Sequence, residues 1–423
     1  MKKRNPWAWI PSLYFTEALP NAIVTILIVA LFTSMKMDIA RITFYSGWLS
    51  LPWVIKPLWS PFVDILKTKR WWILSMQLLM GTGLAAMAFF IPTDFYIQAT
   101  IAFGFLIAFA SATHDIAADG FYLLELDKSK QSFFVGIRST FYRFGNIFVQ
   151  GGLVMLAGYL QKATGKVALA WMITFLIAGG LFLGLYIYHH FILPRPKADV
   201  SGESQDFKSI WREIVLTFKT FFAKKQIGAA LFFLLTYRIA EAQLQVLKIP
   251  FLNTPISEGG LGLEMDTVGQ VTGVYGIIGM VAGGILGGVL AAKGGLKKWL
   301  WPMMLTMLLT SAVYIYLAYV QPTNLWVISS CIVIEEFGYG FGFTAYMLFM
   351  MYFAEGEHKT THYALCTGFM AAGLMLPKLP SGWILTELGG YTEFYLYIMV
   401  CSIIPILSAG LLRLDKLGKA KQS

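Results

Sequence analysis

Long apolar segments alternate with short polar connections along almost the whole chain, and twelve of these segments are long enough to cross a membrane as helices. A helix rises about 1.5 Å per residue, so about 20 apolar residues cross a hydrocarbon core of about 30 Å. The predicted spans are residues 8–32, 43–65, 71–91, 97–122, 133–160, 168–192, 225–248, 267–292, 298–319, 325–353, 360–386 and 392–412. This pattern predicts an all-α polytopic membrane protein.

One connection differs from the others because it is long and has the composition of a soluble segment. It covers residues 193–224 and separates an N-terminal six-helix half, residues 1–192, from a C-terminal six-helix half, residues 225–423. Its apolar residues recur at helical spacing between Phe207 and Phe222, with charged residues on the opposite face. The pattern predicts a helix that either lies on the membrane surface or packs against the bundle.

Composition and charge agree with this picture and orient the chain. The residues are 57% apolar and 13% charged, whereas roughly a quarter of the residues of a soluble domain are charged. A cytoplasmic N-terminus places 24 Lys and Arg inside, four within spans, and five outside, namely Lys36, Arg41, Lys162, Lys166 and Lys248. This positive-inside bias predicts that both termini are cytoplasmic, and it explains the net charge of +10 without nucleic acid.

Acidic residues occur within spans one, four, seven and ten. Each is expensive to bury in a bilayer and therefore requires a function or a partner. Asp115 and Asp119 stand four residues apart on one helical face, with His114 beside them. Two close carboxylates repel each other, which suits a proton acceptor. A permanent ion pair with Arg143 in the fifth span is the alternative.

The other intramembrane acids are weighed in the same way. Glu17 precedes Pro20 in the first span and is expected to line a cavity. Glu335 and Glu336 are about 100° apart on a helix, so at most one is expected to face a cavity, and Glu335 is favoured. Glu241 follows Arg238 by three residues, so the two either pair with each other or contact a substrate.

Basic and aromatic residues within the spans are candidate substrate contacts. Lys56 and Lys378 lie in proline-rich segments and either extend towards the membrane surface or reach a substrate. Trp53 shares a span with Lys56 and is a candidate for stacking on a sugar ring. His189 ends the sixth span and is expected at the interface.

No motif for catalysis, metal binding or nucleotide binding is found in the sequence. Its three cysteines all lie in apolar segments, and no His, Cys, Asp or Glu cluster has the spacing of metal ligands. We therefore expect no cofactor and no enzymatic activity; a membrane-embedded transferase is the remote alternative. The acids favour a secondary transporter for a polar solute, driven by protons.

The two halves carry a similar short connection. At an offset of 228 residues, Lys69, Arg70 and Trp71 correspond to Lys297, Lys298 and Trp299, and Asp64 precedes the first set. The connection resembles the loop signature of the major facilitator superfamily, which is built from parallel six-helix repeats. The resemblance implies that Asp64, Lys69, Arg70, Lys297 and Lys298 form gating loops, and that the helices bearing the acids line a central cavity.

Several longer segments resemble one branch of that superfamily, the AmpG-type muropeptide permeases and acetyl-CoA transporters. They are ALP (18–20), KPLWSPFVD (56–64), AFASATHDIAADGFY (108–122), YRFGN (142–146), YRIAE (237–241), EEFGYGFGFTAY (335–346) and TTHYAL (360–365). The resemblance implies proton-driven import across the inner membrane. Asp115, Asp119 and Glu335 match acids of the family, and Tyr237 and Arg238 lie in a matching segment.

The chain departs from this family at charged positions. Glu17 replaces a small residue, His114 replaces Gln, Glu336 replaces an amide, and Lys378 stands four residues after the family's arginine position, here Leu374. Changed charges alter which polar groups a ligand must satisfy. We expect a monomer that imports a muropeptide, an amino sugar or a related saccharide; another oligosaccharide, a siderophore or an acyl-CoA-like anion are the alternatives.

Overall fold

The computed structural model describes residues 4–196, 199, 207–356 and 359–414, which are helical and contain no β-strand. Its helices are α1 (Ile10–Ala22), α2 (Ile28–Ser34), α3 (Ile39–Trp48), α4 (Leu51–Ile55), α5 (Ser60–Ile65), α6 (Lys69–Phe90), α7 (Tyr96–Glu125), α8 (Lys128–Ile147), α9 (Val154–Thr164), α10 (Val167–Ile192), α11 (Phe207–Phe222), α12 (Ile227–Thr236), α13 (Ile239–Asn253), α14 (Met265–Gln270), α15 (Gly276–Thr310), α16 (Val313–Val320), α17 (Leu325–Phe353), α18 (Lys359–Leu388), α19 (Tyr391–Cys401) and α20 (Ile403–Gly410).

Eight helical stretches in the described residues are long and apolar enough to cross a membrane: Pro6–Ser34, Lys69–Phe90, Tyr96–Glu125, Val167–Ile192, Ile227–Asn253, Met265–Val320, Leu325–Phe353 and Tyr391–Gly410. The stretch Met265–Val320 covers two of the spans predicted from the sequence. Helices α3–α5, α8–α9 and α18 cover the remaining three. The all-α membrane fold is therefore confirmed, and the count of twelve spans remains a prediction.

Proline and glycine explain where long helices break. Pro52, Pro57 and Pro61 lie in the second predicted span, where the backbone forms α4, a short 3-10 turn at Lys56–Leu58, and α5. Proline lacks the N–H that continues a helix, so this segment does not form one regular helix. In α15, Gly295 has φ 69° and ψ 169°, which separates the eighth predicted span from the ninth.

Small residues allow α15 and α17 to approach closely. A side chain on Gly283 would clash with the carbonyl oxygen of Phe337, and one on Gly340 would clash with that of Met280. The glycine-rich segment Gly283–Gly288 therefore serves helix packing, as is common in membrane helices.

The chain forms two compact units. Unit 1 consists of residues 1–35 and 55–210, and unit 2 consists of residues 36–54 and 211–423. Helix α3 thus belongs to unit 2, where it packs against α18, and the Gly382 backbone N–H donates a hydrogen bond to Thr43 Oγ1 (3.0 Å). The six-plus-six division into residues 1–192 and 225–423 remains a prediction.

The amphipathic helix predicted in the linker is present as α11. Phe221, near its C-terminal end, is fully buried; its ring stacks on that of Phe369 at 6.1 Å between centroids. Val215 and Leu216 are about half exposed. The C-terminal end of α11 therefore packs within unit 2. This agrees with the interpretation of a helix packed against other helices and not with one lying only on the membrane surface.

Candidate functional site

Unit 1 contains a group of five charged residues that we call the acid cluster: Glu17 on α1, Lys56 before α5, Asp115 and Asp119 on α7, and Arg138 on α8. Lys56 Nζ lies 3.4 Å from Asp115 Oδ2, and Arg138 Nη2 lies 2.8 Å from Asp119 Oδ1. The alternative of a permanent ion pair with Arg143 is not observed for Asp119, because Arg143 is exposed and Arg138 lies beside that aspartate.

Arg138 is the residue of this cluster that the sequence interpretation missed. Its guanidinium lies over the rings of Tyr14 and Tyr122, at 4.5 and 5.2 Å from their centroids. Tyr14 also donates a hydrogen bond to Asp119 Oδ1 (3.3 Å). The position of Arg138 inside the predicted fifth span was the available signal, and its aromatic contacts hold it towards Asp119.

Glu17 is the most deeply buried acid of the cluster. It is 8% exposed, and its Oε2 atom has no hydrogen-bond partner among the described residues. Asp115, Asp119, Arg138 and Lys56 all interact with it electrostatically. With every group ionised, the cluster has three negative and two positive charges, so a single proton brings it to neutrality.

The cluster is also partly open to solvent. The side chains of Lys56 and Arg138 are 29% and 27% exposed, and that of Asp119 is 46% exposed. Charges that water reaches interact weakly and exchange partners easily. Asp119 is the most exposed acid of this cluster.

A buried chain of hydrogen bonds lies elsewhere in unit 1 and links four helices, α1, α6, α7 and α10. Gln77 Nε2 is 3.0 Å from His114 Nε2, Gln77 Oε1 is 3.0 Å from His189 Nδ1, and His189 Nε2 is 2.9 Å from Ser12 Oγ. Both imidazoles and the amide have no exposed surface. His189 is buried in the last turn of α10, where Gln77 and Ser12 satisfy its ring inside the protein. Its expected position at the depth of the membrane interface remains a prediction.

Unit 2 contains a bidentate ion pair on α13. Arg238 Nε and Nη2 lie 2.6 and 2.9 Å from the two carboxylate oxygens of Glu241, and Nη2 also donates to the Tyr339 hydroxyl (3.2 Å). Both charged side chains are at most 5% exposed. Of the two interpretations of this pair, the contact along one helix is the one observed, and it leaves Arg238 fully engaged.

A second buried group in unit 2, which we call the lysine–glutamate triad, corrects one prediction, the assignment of Lys248 to an outside connection. Lys248 Nζ lies 2.7 Å from both Glu335 Oε2 and Glu336 Oε1, and all three side chains are at most 9% exposed. Lys248 is therefore an interior residue of α13 and not part of an outside loop. The two glutamates also share a partner, because the long lysine side chain spans their angular separation.

Two other candidate substrate contacts lie in unit 2 with different surroundings. Tyr237 is fully buried, donates a hydrogen bond to the Gly342 carbonyl (2.8 Å), and stacks on Tyr346. Lys378 is 7% exposed and interacts electrostatically with Glu241, and the described residues provide no ion pair for it. Lys378 is therefore the buried cation of unit 2 that remains available for an anionic ligand.

The predicted gating loops are partly described. Asp199 of the linker accepts hydrogen bonds from the backbone N–H groups of Lys69 (2.7 Å) and Arg70 (3.1 Å) and so caps the start of α6. Lys297 and Lys298 are exposed. The side chain of Asp64 lies outside the described residues. Trp53, proposed for sugar stacking, is half-buried in unit 2.

The described residues contain no group of three or more His, Cys, Asp and Glu that would hold a metal ion. The chemistry that these side chains offer is the binding of protons, of charged groups and of polar solutes.

Comparison with protein families places the chain among transporters. The family model described as Major Facilitator Superfamily matches residues 12–377. The chain is 24% identical over 394 residues to the anhydromuropeptide permease of Escherichia coli K12, covering 92% of this chain and 76% of that one. It is 26% identical over 382 residues to a protein of Rickettsia conorii named putative transporter AmpG 4, covering 87% and 86% of the two chains.

Solved structures share the fold at much lower sequence identity. The nucleoside transporter NupG has a TM-score of 0.69 at 16% identity, covering 98% of this chain and all of that one. A POT family transporter crystallised with a thioalcohol-conjugated peptide has a TM-score of 0.71 at 10% identity, covering 97% and 96% of the two chains.

Proposed function

Because the chain belongs to the major facilitator superfamily and is a membrane transporter rather than an enzyme, we propose that it couples the import of a polar solute to protons. The proposed solute is a muropeptide, an amino sugar or a related saccharide derived from the cell wall. Alternating access would carry it across the inner membrane, by a monomer with both termini in the cytoplasm.

The single observation that carries the proton coupling is the charge imbalance of the acid cluster. Three carboxylates face two cations, and Glu17 Oε2 is buried without a hydrogen-bond partner among the described residues. Burying an ionised carboxylate without a partner is unfavourable, whereas the protonated form carries no charge and gains an O–H donor. We assign the transported proton to the set Glu17, Asp115 and Asp119.

The identity of the solute rests on the named relatives and on one cation. The relatives from Escherichia coli and Rickettsia conorii are an anhydromuropeptide permease and a putative transporter AmpG 4. Muropeptides carry carboxylate groups, and a buried ammonium that forms no close ion pair with the described residues favours such an anion. Lys378 in unit 2 is the residue that we assign to this contact.

Uptake by purified protein in proteoliposomes tests the coupling. With an imposed proton gradient, we expect Asp115→Asn and Asp119→Asn to abolish accumulation of labelled anhydromuropeptide and to keep solute exchange at equal concentrations on both sides. Removing the ionisable group breaks the coupling but leaves most of the binding site in place. Asp94→Asn, at an exposed position between α6 and α7, is the matched control and is expected to accumulate normally.

Undiminished gradient-driven accumulation in both aspartate variants would remove them from the mechanism. The solute class is tested separately by thermal shifts with muropeptides, free sugars and siderophores, since a ligand that binds the native state raises the melting temperature. A shift with siderophores and none with muropeptides would contradict the proposed solute but not the coupling.

A further inference from the structure

A groove lies between α6 and α10 at the basic end of unit 1, away from the acid cluster. Its volume is about 330 Å³, and it is lined by Thr68, Arg70, Trp71, Leu74, Ser75, Leu78, Tyr186 and His190. Ligand pockets start at roughly 300 Å³, so the groove has room for one small headgroup. The proton-coupled import proposed above uses none of these side chains for binding.

The lining changes from polar to apolar along the groove. Residues 71, 74, 75 and 78 follow one face of α6, because positions three, four and seven apart share a face of a helix. Leu78 is therefore about two turns further along α6 than Trp71, and both side chains are over a third exposed. Arg70 and His190 lie at the other end, where α6 begins and α10 ends.

The polar end of the groove is strongly basic. Arg4 and Arg195 are the like charges that interact with Arg70, and Asp199 is the acid that opposes them. Arg70 Nη2 donates to the His190 carbonyl (2.6 Å), while Nε has no hydrogen-bond partner among the described residues. Three guanidinium groups facing one carboxylate leave an excess of positive charge that an anion would neutralise.

Aromatic residues around this end indicate that it lies at the membrane surface. Trp7, Trp71, Tyr188 and Phe191 are between 43% and 68% exposed. Trp7, Trp71 and Phe191 each lie within four residues of Arg4, Arg70 or Arg195 in the sequence. Tryptophan and tyrosine are enriched where a membrane helix passes from hydrocarbon to headgroups. A basic, polar end at the interface followed by exposed leucine matches a molecule with a charged head and an apolar tail.

We propose that this groove binds one anionic glycerophospholipid, with the phosphate beside Arg70 and Arg195 and an acyl chain along Leu74 and Leu78. The corresponding position of the second repeat differs. Lys298 lies over the ring of Trp299 at 5.9 Å, and a side chain on Gly294 would clash with the same indole. The repeat-related residues therefore supply a matched control.

Native mass spectrometry of the purified full chain, titrated with phosphatidylglycerol or phosphatidylcholine of equal chain length, tests the proposal. We expect one phosphatidylglycerol to bind at least about tenfold more tightly than phosphatidylcholine. Arg70→Gln and Arg195→Gln should each weaken it about fivefold, the effect of one basic residue near an anionic lipid. Arg195 is exposed. The Arg195→Gln variant therefore still measures how much basic charge contributes to phosphatidylglycerol binding if Arg70→Gln fails to fold.

The control is Lys297→Gln with Lys298→Gln, which should leave phosphatidylglycerol binding unchanged although it removes two basic charges. Leu78→Asn should weaken binding without changing the charge. The proposal would be overturned if both lipids bound equally well or if the lysine control lost as much binding as the arginine variants. Displacement of the lipid by millimolar inorganic phosphate would also overturn it, because that result would identify a phosphate site without a lipid tail.

Discussion

The acid cluster of unit 1 and the lysine–glutamate triad of unit 2 each combine more acids than bases, but they differ in access to water. In the acid cluster the paired side chains are 16–46% exposed, and the Lys56–Asp115 contact is 3.4 Å. In the triad the side chains are at most 9% exposed, and both contacts are 2.7 Å. Water keeps the first set exchangeable, whereas its exclusion from the second makes each ion depend on its partners.

The difference predicts that the acid cluster serves proton coupling and that the triad serves stability, although acids of both groups were candidates for proton coupling. A buried ion pair whose partner is removed leaves an uncompensated charge, so unit 2 should lose stability when its charges change. When charges of the acid cluster are removed, unit 1 should keep its stability, and solute import should lose its coupling to protons.

The largest expected effect comes from Lys248→Met. It leaves the carboxylates of Glu335 and Glu336 buried without their shared cation, which we expect to reduce stability by about 3–5 kcal/mol. The measurement is the unfolding transition of the purified protein in detergent. The matched control is Lys56→Met in the acid cluster, for which we expect a much smaller loss.

Adding Glu335→Gln and Glu336→Gln to Lys248→Met should recover part of the lost stability, because the three neutral side chains leave no charge unpaired. Equal losses in Lys248→Met and Lys56→Met would refute the contrast between the two clusters.

An intermediate effect is expected from Gln77→Leu in unit 1. The substitution leaves two buried imidazoles without the amide that bridges them, and an unsatisfied buried polar group costs about 1–3 kcal/mol. His114→Gln is the control, because an amide at that position retains a donor and an acceptor. A leucine variant as stable as the wild type would show that the bridge does not support the fold.

The smallest stability effect is expected from Asp119→Asn. Its partner Arg138 is partly exposed and also lies over Tyr14 and Tyr122, so we expect a change of about 1 kcal/mol or less. The same melting experiment measures it, with Glu335→Gln as the comparison in unit 2. A larger loss of stability in Asp119→Asn than in Glu335→Gln would contradict this contrast, because it would show that the acid cluster supports stability more than the triad does.

The sequence identified the intramembrane acids and the Arg238–Glu241 pair, but not the partners of the other acids. Asp115, Asp119, Glu17, Glu335 and Glu336 were recognisable because charge in an apolar segment is costly. Their partners were not, since pairing depends on which helices are neighbours and how far a side chain reaches. Arg138 replaces Arg143 beside Asp119, and Lys248 joins two glutamates that a helical projection separates.

The sequence by itself determined the all-α membrane fold, the resemblance to muropeptide permeases, and the acids. Hydrophobic length and the cost of buried charge act locally and are visible in a linear chain. Tertiary structure alone decided that Asp119 of unit 1 is exposed while Glu335 and Glu336 of unit 2 are buried. It also decided that His189 is interior and that a basic groove forms between α6 and α10. Burial and pairing depend on several helices at once, so no single segment of sequence contains them.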